Sequence, residues 1–161
     1  MQIVSDYIKK INSGEVAACA HVKNAVARYE QDRANGWRFS DELAEHALNF
    51  IEQLVHTTGD YAGRNFTLEP WQAFIVYNLF GFLNEDGSRR FTRAYVEVPR
   101  KNGKSTFSSA VMLYGLIADD EPAAQVYSAA TKLDQAMMVF GESVRVCQNL
   151  PWLSEALTVN N

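Results

Sequence analysis

Hydrophobic positions recur at helical spacing in the first part of the chain, alternate in the middle, and return to helical spacing afterwards. Residues 1–58 read as helical: 16–29 is rich in alanine and valine, with Lys23, and has no breaker, and the Asn35-Gly36 pair stops it. Ser40 is placed to cap the next helix, in which Leu43, Ala47, Phe50 and Leu54 recur at steps of four, three and four and form one apolar face. That face must pack on something.

The turn-rich run TTGDYAGRN follows, and then Pro70 opens a helix at its first turn, with Trp71, Phe74, Ile75, Leu79 and Phe82 at helical spacing. NEDGS closes it. In 91–98, FTRAYVEV, the residues alternate, which predicts a strand. From Lys104 to Ile117 helical spacing resumes through Phe107, Ala110, Val111 and Tyr114, and ADDEP punctuates it. AAQVYSAA, 123–130, predicts a second short strand, and Thr131 opens a long helix to about Gln148. Strand, turn, helix, strand, helix is the order of a parallel α/β sheet. The expected fold is therefore α/β, a partial parallel sheet flanked by helices, with a helical extension over 1–60 and the α/β part over 61–161.

Composition is that of an ordinary globular domain, 47% hydrophobic and 21% charged in 161 residues, which excludes disordered and collagen-like classes. The longest apolar run, WQAFIVYNLFGFL, is broken by Gln72, Asn78 and Gly81 below the length of a membrane span, and the first residues show no secretory pattern. A soluble, cytosolic protein is expected, without membrane contact. Cys19 and Cys147 lie far apart and without metal-ligand spacing, so buried small hydrophobes are expected at both.

Charge matters through its placement. The net charge is −4, yet six of the 15 basic residues, Arg89, Arg90, Arg93, Arg100, Lys101 and Lys104, fall between 89 and 104 against one acid, Glu97. The cluster leads into YVEVPRKNGKST, 95–106, which ends in Gly103-Lys104-Ser105. A phosphate-binding loop needs a strand that delivers a turn of backbone N–H groups, a helix whose N-terminus faces the phosphates, a lysine for the β and γ phosphates and a hydroxyl for magnesium. All parts are present in order except the leading glycine, where Val98 stands.

Three blocks carry a family resemblance: LEPWQAFIVYNLFGF (68–82), DGSRRFTRAYVEVPRKNGKST (86–106) and EPAAQVYSAATKLDQAMMVF (121–140), preceded more faintly by 36–63. In this order and spacing they resemble the large terminase subunit of tailed bacteriophages and prophages, the motor ATPase that packages double-stranded DNA into procapsids. The resemblance implies a P-loop NTPase fold with a deviant Walker A loop in which the leading glycine is replaced and an arginine sits early in the turn. It implies that Lys104 binds the β and γ phosphates of ATP, that Ser105 completes the Mg2+ shell with Thr106 beside it, and that Arg100 acts on the γ-phosphate as a cis arginine finger. Lys101, Asn102 and Gly103 would complete the loop around the nucleotide. Gln72 would hydrogen-bond the adenine edge through an amide that both donates and accepts, while Trp71 is expected in core packing. The implied partners are double-stranded phage DNA, the small terminase subunit and the portal protein, in the bacterial host cytoplasm.

The family's Walker B carboxylates are not matched. LIADDEP, 116–122, offers Asp119 and Asp120, but at the far end of the helix that Lys104 opens, roughly 20 Å away by helix rise. By this reading the chain ends before Walker B and before the nuclease domain, binds ATP-Mg weakly and turns over little. Two other readings stand beside the motor: a helicase-like translocase, which shares a glutamine element upstream of a P-loop, and a non-catalytic remnant whose helical first 60 residues bind a partner. His46 and His56 follow Glu42 and Glu52 by four, which suits helix-surface pairs better than a di-metal motif. Ser128, Thr131, Asp134 and Gln135 match a family segment after the second strand, and Thr131 equally suits a helix cap.

Overall fold

The computed structural model describes residues 2–157. The chain divides into two compact units, Met1–Leu48 with Leu68–Tyr95, and Asn49–Thr67 with Val96–Asn161.

The first unit begins with α1, Gln2–Ser13, which buries Val4, Ile8 and Ile11 at steps of four and three, one face of a helix. It packs on α2, Ala20–Ala34, and on α4, Pro70–Gly81. α2 starts four residues later than its composition suggests, because Gly14 turns the chain at φ 77 and the Val16 N–H goes back to the Lys10 carbonyl at 3.2 Å. Its end is the expected one: Asn35 caps it and Gly36 leaves at φ 76. Cys19, just before α2, is exposed, which corrects the expectation of a buried residue; Cys147 is buried as expected.

α3, Asp41–Gln53, opens with the Ser40 hydroxyl accepting the Leu43 N–H at 3.2 Å. Its buried stripe is Ala44, Ala47, Leu48 and Ile51 with Phe50, and Leu43 is exposed. A shift of one residue rotates a side chain by about 100° around a helix, so a stripe centred on 44 and 48 turns Leu43 outward.

α4 is hydrophobic on nearly all sides, as a helix inside a unit must be. It buries Ala73, Phe74, Val76, Tyr77, Phe80 and Gly81, and the Asn78 amide nitrogen donates to the Phe74 carbonyl at 2.8 Å. Trp71 is half-buried at its start, short of the core position expected. Tyr29 of α2 meets Phe39, Phe74 and Phe82 edge to face at centroid distances of 6.2, 6.0 and 5.8 Å, a geometry worth about 0.5–1.5 kcal/mol per pair beyond area. The Tyr77 hydroxyl donates to Asp41, and burial together with that carboxylate holds its pKa well above the ordinary phenol value.

Arg90 ties the end of this unit to α2. Its guanidinium donates to Asp32 Oδ1 at 3.1 Å and lies 2.7 Å from Oδ2, where charge attraction acts without hydrogen-bond alignment. It also stacks 3.7 Å from the Trp37 ring and 5.0 Å from Phe91, while Arg28 covers Phe91 at 4.5 Å.

The second unit contains the end of α3, a 3₁₀ turn at Gly59–Tyr61, and three helices: α5, Lys104–Ile117; α6, Leu133–Asn149; and α7, Pro151–Ala156. α5 packs on α6 and α6 on α7. Phe50 meets Tyr114 and Trp152 edge to face at 5.6 and 5.8 Å. The loop after α3 closes on itself, with the His56 N–H on the Arg64 carbonyl at 2.9 Å and the Phe66 N–H on the Leu54 carbonyl at 2.8 Å. The buried carboxylate of Glu142 fixes that loop to α6 by accepting the Thr57 hydroxyl at 2.8 Å and pairing with Arg145. His56 lies beyond the end of α3, not on the helix surface expected, and its ring rests on Phe66 at 4.5 Å. α6 begins two residues after Thr131, with Lys132 as its cap.

The two expected strands are the main difference. Among the described residues there is no strand ladder, only isolated antiparallel bridges at Phe39 and Phe82, Val55 and Asn65, Leu83 and Arg89. Neither segment is helical, and burial alternates over part of each: Val96 and Val98 are half-buried around exposed Glu97, while 92–95 are exposed throughout, and Ala124, Val126 and Ser128 are half-buried around exposed Gln125 and Tyr127, after Ala123 turns the chain at φ 55. Val126 packs near Gly115 of α5. Alternation sets which way side chains face; a ladder also needs a neighbouring strand. No described helix is long and apolar enough to cross a membrane.

Three outcomes are expected. Arg90→Ala leaves Asp32 buried without its partner and costs about 3 kcal/mol, read as a fall in urea-unfolding free energy; Asp32→Asn combined with it costs less than the sum of the two. Gly81→Ala would place a Cβ 2.3 Å from the Phe39 ring, so its thermal midpoint drops with a cost of about 1–3 kcal/mol. Burial, opposed in part by Glu142, holds the His56 pKa below the ordinary imidazole value. Its neutral form is therefore favoured in the folded state, and stability falls as pH drops from the unfolded imidazole value, about 6.5, through the lower folded one. The urea midpoint should fall between about pH 7.5 and 5.5, and fall less in His56→Phe; an equal fall in both would locate the titration at other groups.

Candidate functional site

The turn 99–103 joins the segment ending at Val98 to α5. α5 forms where expected, Lys104–Ile117, because Phe107, Ala110, Leu113 and Tyr114 supply a buried face with no internal breaker. Its first intrahelical bond runs from the Phe107 N–H to the Gly103 carbonyl at 2.8 Å. Buried Phe107 anchors the helix one turn in, while Arg100 through Ser105 are exposed and Thr106 is half-buried.

The turn has an unusual backbone. Lys101 and Gly103 both take φ 68, the left-handed region, which a residue with a Cβ seldom enters. An Asn-Gly pair signals a turn with positive φ at its own two residues. Here positive φ falls on Lys101 and Gly103, with Asn102 between them spared. The Asn102 amide nitrogen donates to the carbonyls of Pro99 and Arg100 at 3.2 and 3.3 Å.

The N-terminus of α5 has no side-chain cap. The first N–H groups of a helix have no intrahelical acceptor and carry roughly half a positive charge in total. Arg100, Lys101 and Lys104 add three cations with no acid between Pro99 and Thr106. The arrangement suits an anion with several oxygens. A cation would meet only repulsion there unless an anion came with it, in which case the Ser105 hydroxyl is the exposed oxygen of the first helical turn.

The other predicted residues lie elsewhere. Gln72 belongs to the first unit, at the third position of α4, where it is buried and its amide oxygen accepts the Glu69 N–H at 2.9 Å. The run Glu69-Pro70-Trp71-Gln72 is a capping box with proline at the first helical position, a signal the sequence carries in full. Asp119 and Asp120 follow the C-terminus of α5, whose 14 residues span about 21 Å by helix rise; Asp120 takes φ 54 in the turn that ends it. Thr131 bonds the Gln135 side chain at 3.4 Å and Ser128 the Ala136 carbonyl at 3.1 Å, both local to the start of α6.

Comparison with known proteins bears on this geometry. The crystal structure of the HK97 bacteriophage large terminase is similar, with a TM-score of 0.62 and 24% identity over 73% of this chain. The likeness covers 23% of that chain, so the present chain spans about a quarter of its length, and at this identity it speaks to the fold alone. No curated protein matches the sequence. A family profile described as terminase large subunit, ATPase domain, matches residues 70–157, the span that holds α4, the turn, α5, α6 and α7. More than half of the chain lies in that match, and the chain belongs to the terminase large subunit family, within its ATPase domain.

Proposed function

We propose that the chain is the nucleotide-binding front part of a phage or prophage DNA-packaging motor, and that residues 100–106 hold the phosphates of ATP. The observation that carries this is the turn itself: two left-handed residues deliver the chain into an uncapped helix N-terminus that opens with Lys104, inside the span of an ATPase-domain family.

The chemistry follows from the groups present. The first N–H groups of α5 donate to phosphate oxygens, as the helix dipole favours. Lys104, on the first residue of that helix, holds the β and γ oxygens as a point charge, and Gly103 lets the backbone approach without a side chain in the way. Magnesium, when bound, neutralises charge across the β and γ oxygens; Ser105 is the side chain that would hold it, with Thr106 beside it. Arg100, exposed at the start of the turn, is the cation for charge developing on the transferred phosphoryl group. Lys101 and Asn102 complete the loop. For Gln72 an adenine contact rests on the family resemblance; since its oxygen serves the α4 cap, its amide nitrogen is the donor it offers a base edge.

A P-loop sheet with 91–98 and 123–130 as parallel strands belongs to this proposal, supported by the alternating burial over 96–98 and 124–128. So do the activities of a whole terminase: ATP-driven translocation of double-stranded DNA, nuclease cutting, and work with a small subunit and a portal protein in a bacterial host.

A fluorescent ATP analogue with magnesium, titrated into the chain, should bind saturably. Lys104→Ala removes a charged hydrogen bond worth about 1.5–3 kcal/mol, so affinity should fall at least about tenfold with helical content unchanged. A folded chain that binds no nucleotide would overturn the reading.

A further inference from the structure

We infer that Asn102 is a positioning residue: its side chain braces the turn from behind and thereby aims the backbone N–H groups of Arg100 and Lys101 at the anion. The inference rests on the nucleotide reading of the loop and assigns Asn102 a role through the backbone instead of a contact with the nucleotide.

The geometry runs as a chain of constraints. The Asn102 amide nitrogen draws two consecutive carbonyls, those of Pro99 and Arg100, to one side of the turn at 3.2 and 3.3 Å. In a trans peptide the carbonyl and the following N–H point in opposite directions, and no described peptide is cis. With both oxygens turned toward Asn102, the N–H groups of Arg100 and Lys101 turn together to the opposite side. Successive N–H groups on one side of a left-handed turn form an anion-binding concavity, and the left-handed residue here is Lys101, at φ 68.

Lys101 is also where the turn resists. A side chain with a Cβ disfavours that φ, so an unbraced loop would spend much of its time elsewhere. The amide of Asn102, one residue on, supplies two bonds that are made only when Pro99 and Arg100 are so turned. A serine or aspartate at 102 could not do the same: aspartate has no hydrogen to donate to either carbonyl and serine has one. Asn102 itself is exposed, so its replacement should leave α5 and its buried face intact.

When a loop must adopt one conformation to bind, apparent affinity falls by the fraction of time it holds that conformation. Asn102→Ala should therefore weaken ATP-analogue binding about tenfold. Lys101 separates a brace from a direct contact. In the Asn102→Ala background, Lys101→Gly and Lys101→Ala both remove the ammonium and differ in the Cβ alone. Glycine enters the left-handed region freely, so the glycine variant should regain most of the affinity that the alanine variant lacks. A direct contact between Asn102 and the nucleotide predicts equal affinities for the two.

A second readout needs no nucleotide. In the unliganded chain, the intraresidue amide-to-Hα cross-peak of Lys101 should be strong, as it is only at positive φ, and should weaken in Asn102→Ala. An unchanged cross-peak in Asn102→Ala overturns the inference, and so do equal affinities of the glycine and alanine variants. A wild-type chain that shows the brace by this measurement yet binds no nucleotide overturns the proposed function and with it the assignment of the N–H groups to an anion, while leaving the loop geometry established.

Discussion

A helix start leaves backbone N–H groups without acceptors, and in α5 no side chain takes them. The surroundings of that start accord with this one constraint. Cations gather before it and acids stay away from it; the chain reaches it through two left-handed residues that bring backbone, not side chain, to the front. Phe107, buried one turn in, keeps the helix from drifting. The loop is exposed, while the helix behind it is held by packing on α6.

Each unit has its own means of cohesion. In the first, aromatic rings meet edge to face around Tyr29, and a guanidinium, that of Arg90, lies between a buried carboxylate and a tryptophan face. In the second, the loop after α3 is tied to α6 by the carboxylate of Glu142, which accepts from Thr57 and pairs with Arg145. Each sets a buried carboxylate beside a guanidinium, and pairing is the condition under which burial of charge is tolerated.

The helices were legible because each needs only its own residues to close its hydrogen bonds. Pro70 opens α4, Ser40 caps α3, Gly36 follows α2, and Lys104 begins α5 where spacing places it. The errors are errors of phase and extent: Leu43 turns outward, α2 starts late, and His56 falls past the end of α3. The extended segments were legible in direction but not in pairing. Burial alternates over 96–98 and 124–128, yet a ladder depends on a second strand, and the pattern of one segment says nothing about whether its neighbour is in place.

The candidate site divides along the same line. Sequence alone determined that a basic turn, glycine, lysine and serine would lead into a helix, and the blocks around it placed the chain among large terminase subunits, because those are matters of residue identity and order. Only the folded backbone decided that Lys101 and not Asn102 carries the positive φ, that the Asn102 amide reaches back to two carbonyls, and that the Gln72 oxygen is taken by the α4 cap. The reason is physical: a residue's identity fixes which hydrogen bonds it can make, whereas the partner it meets is set by dihedral angles spread over neighbouring residues.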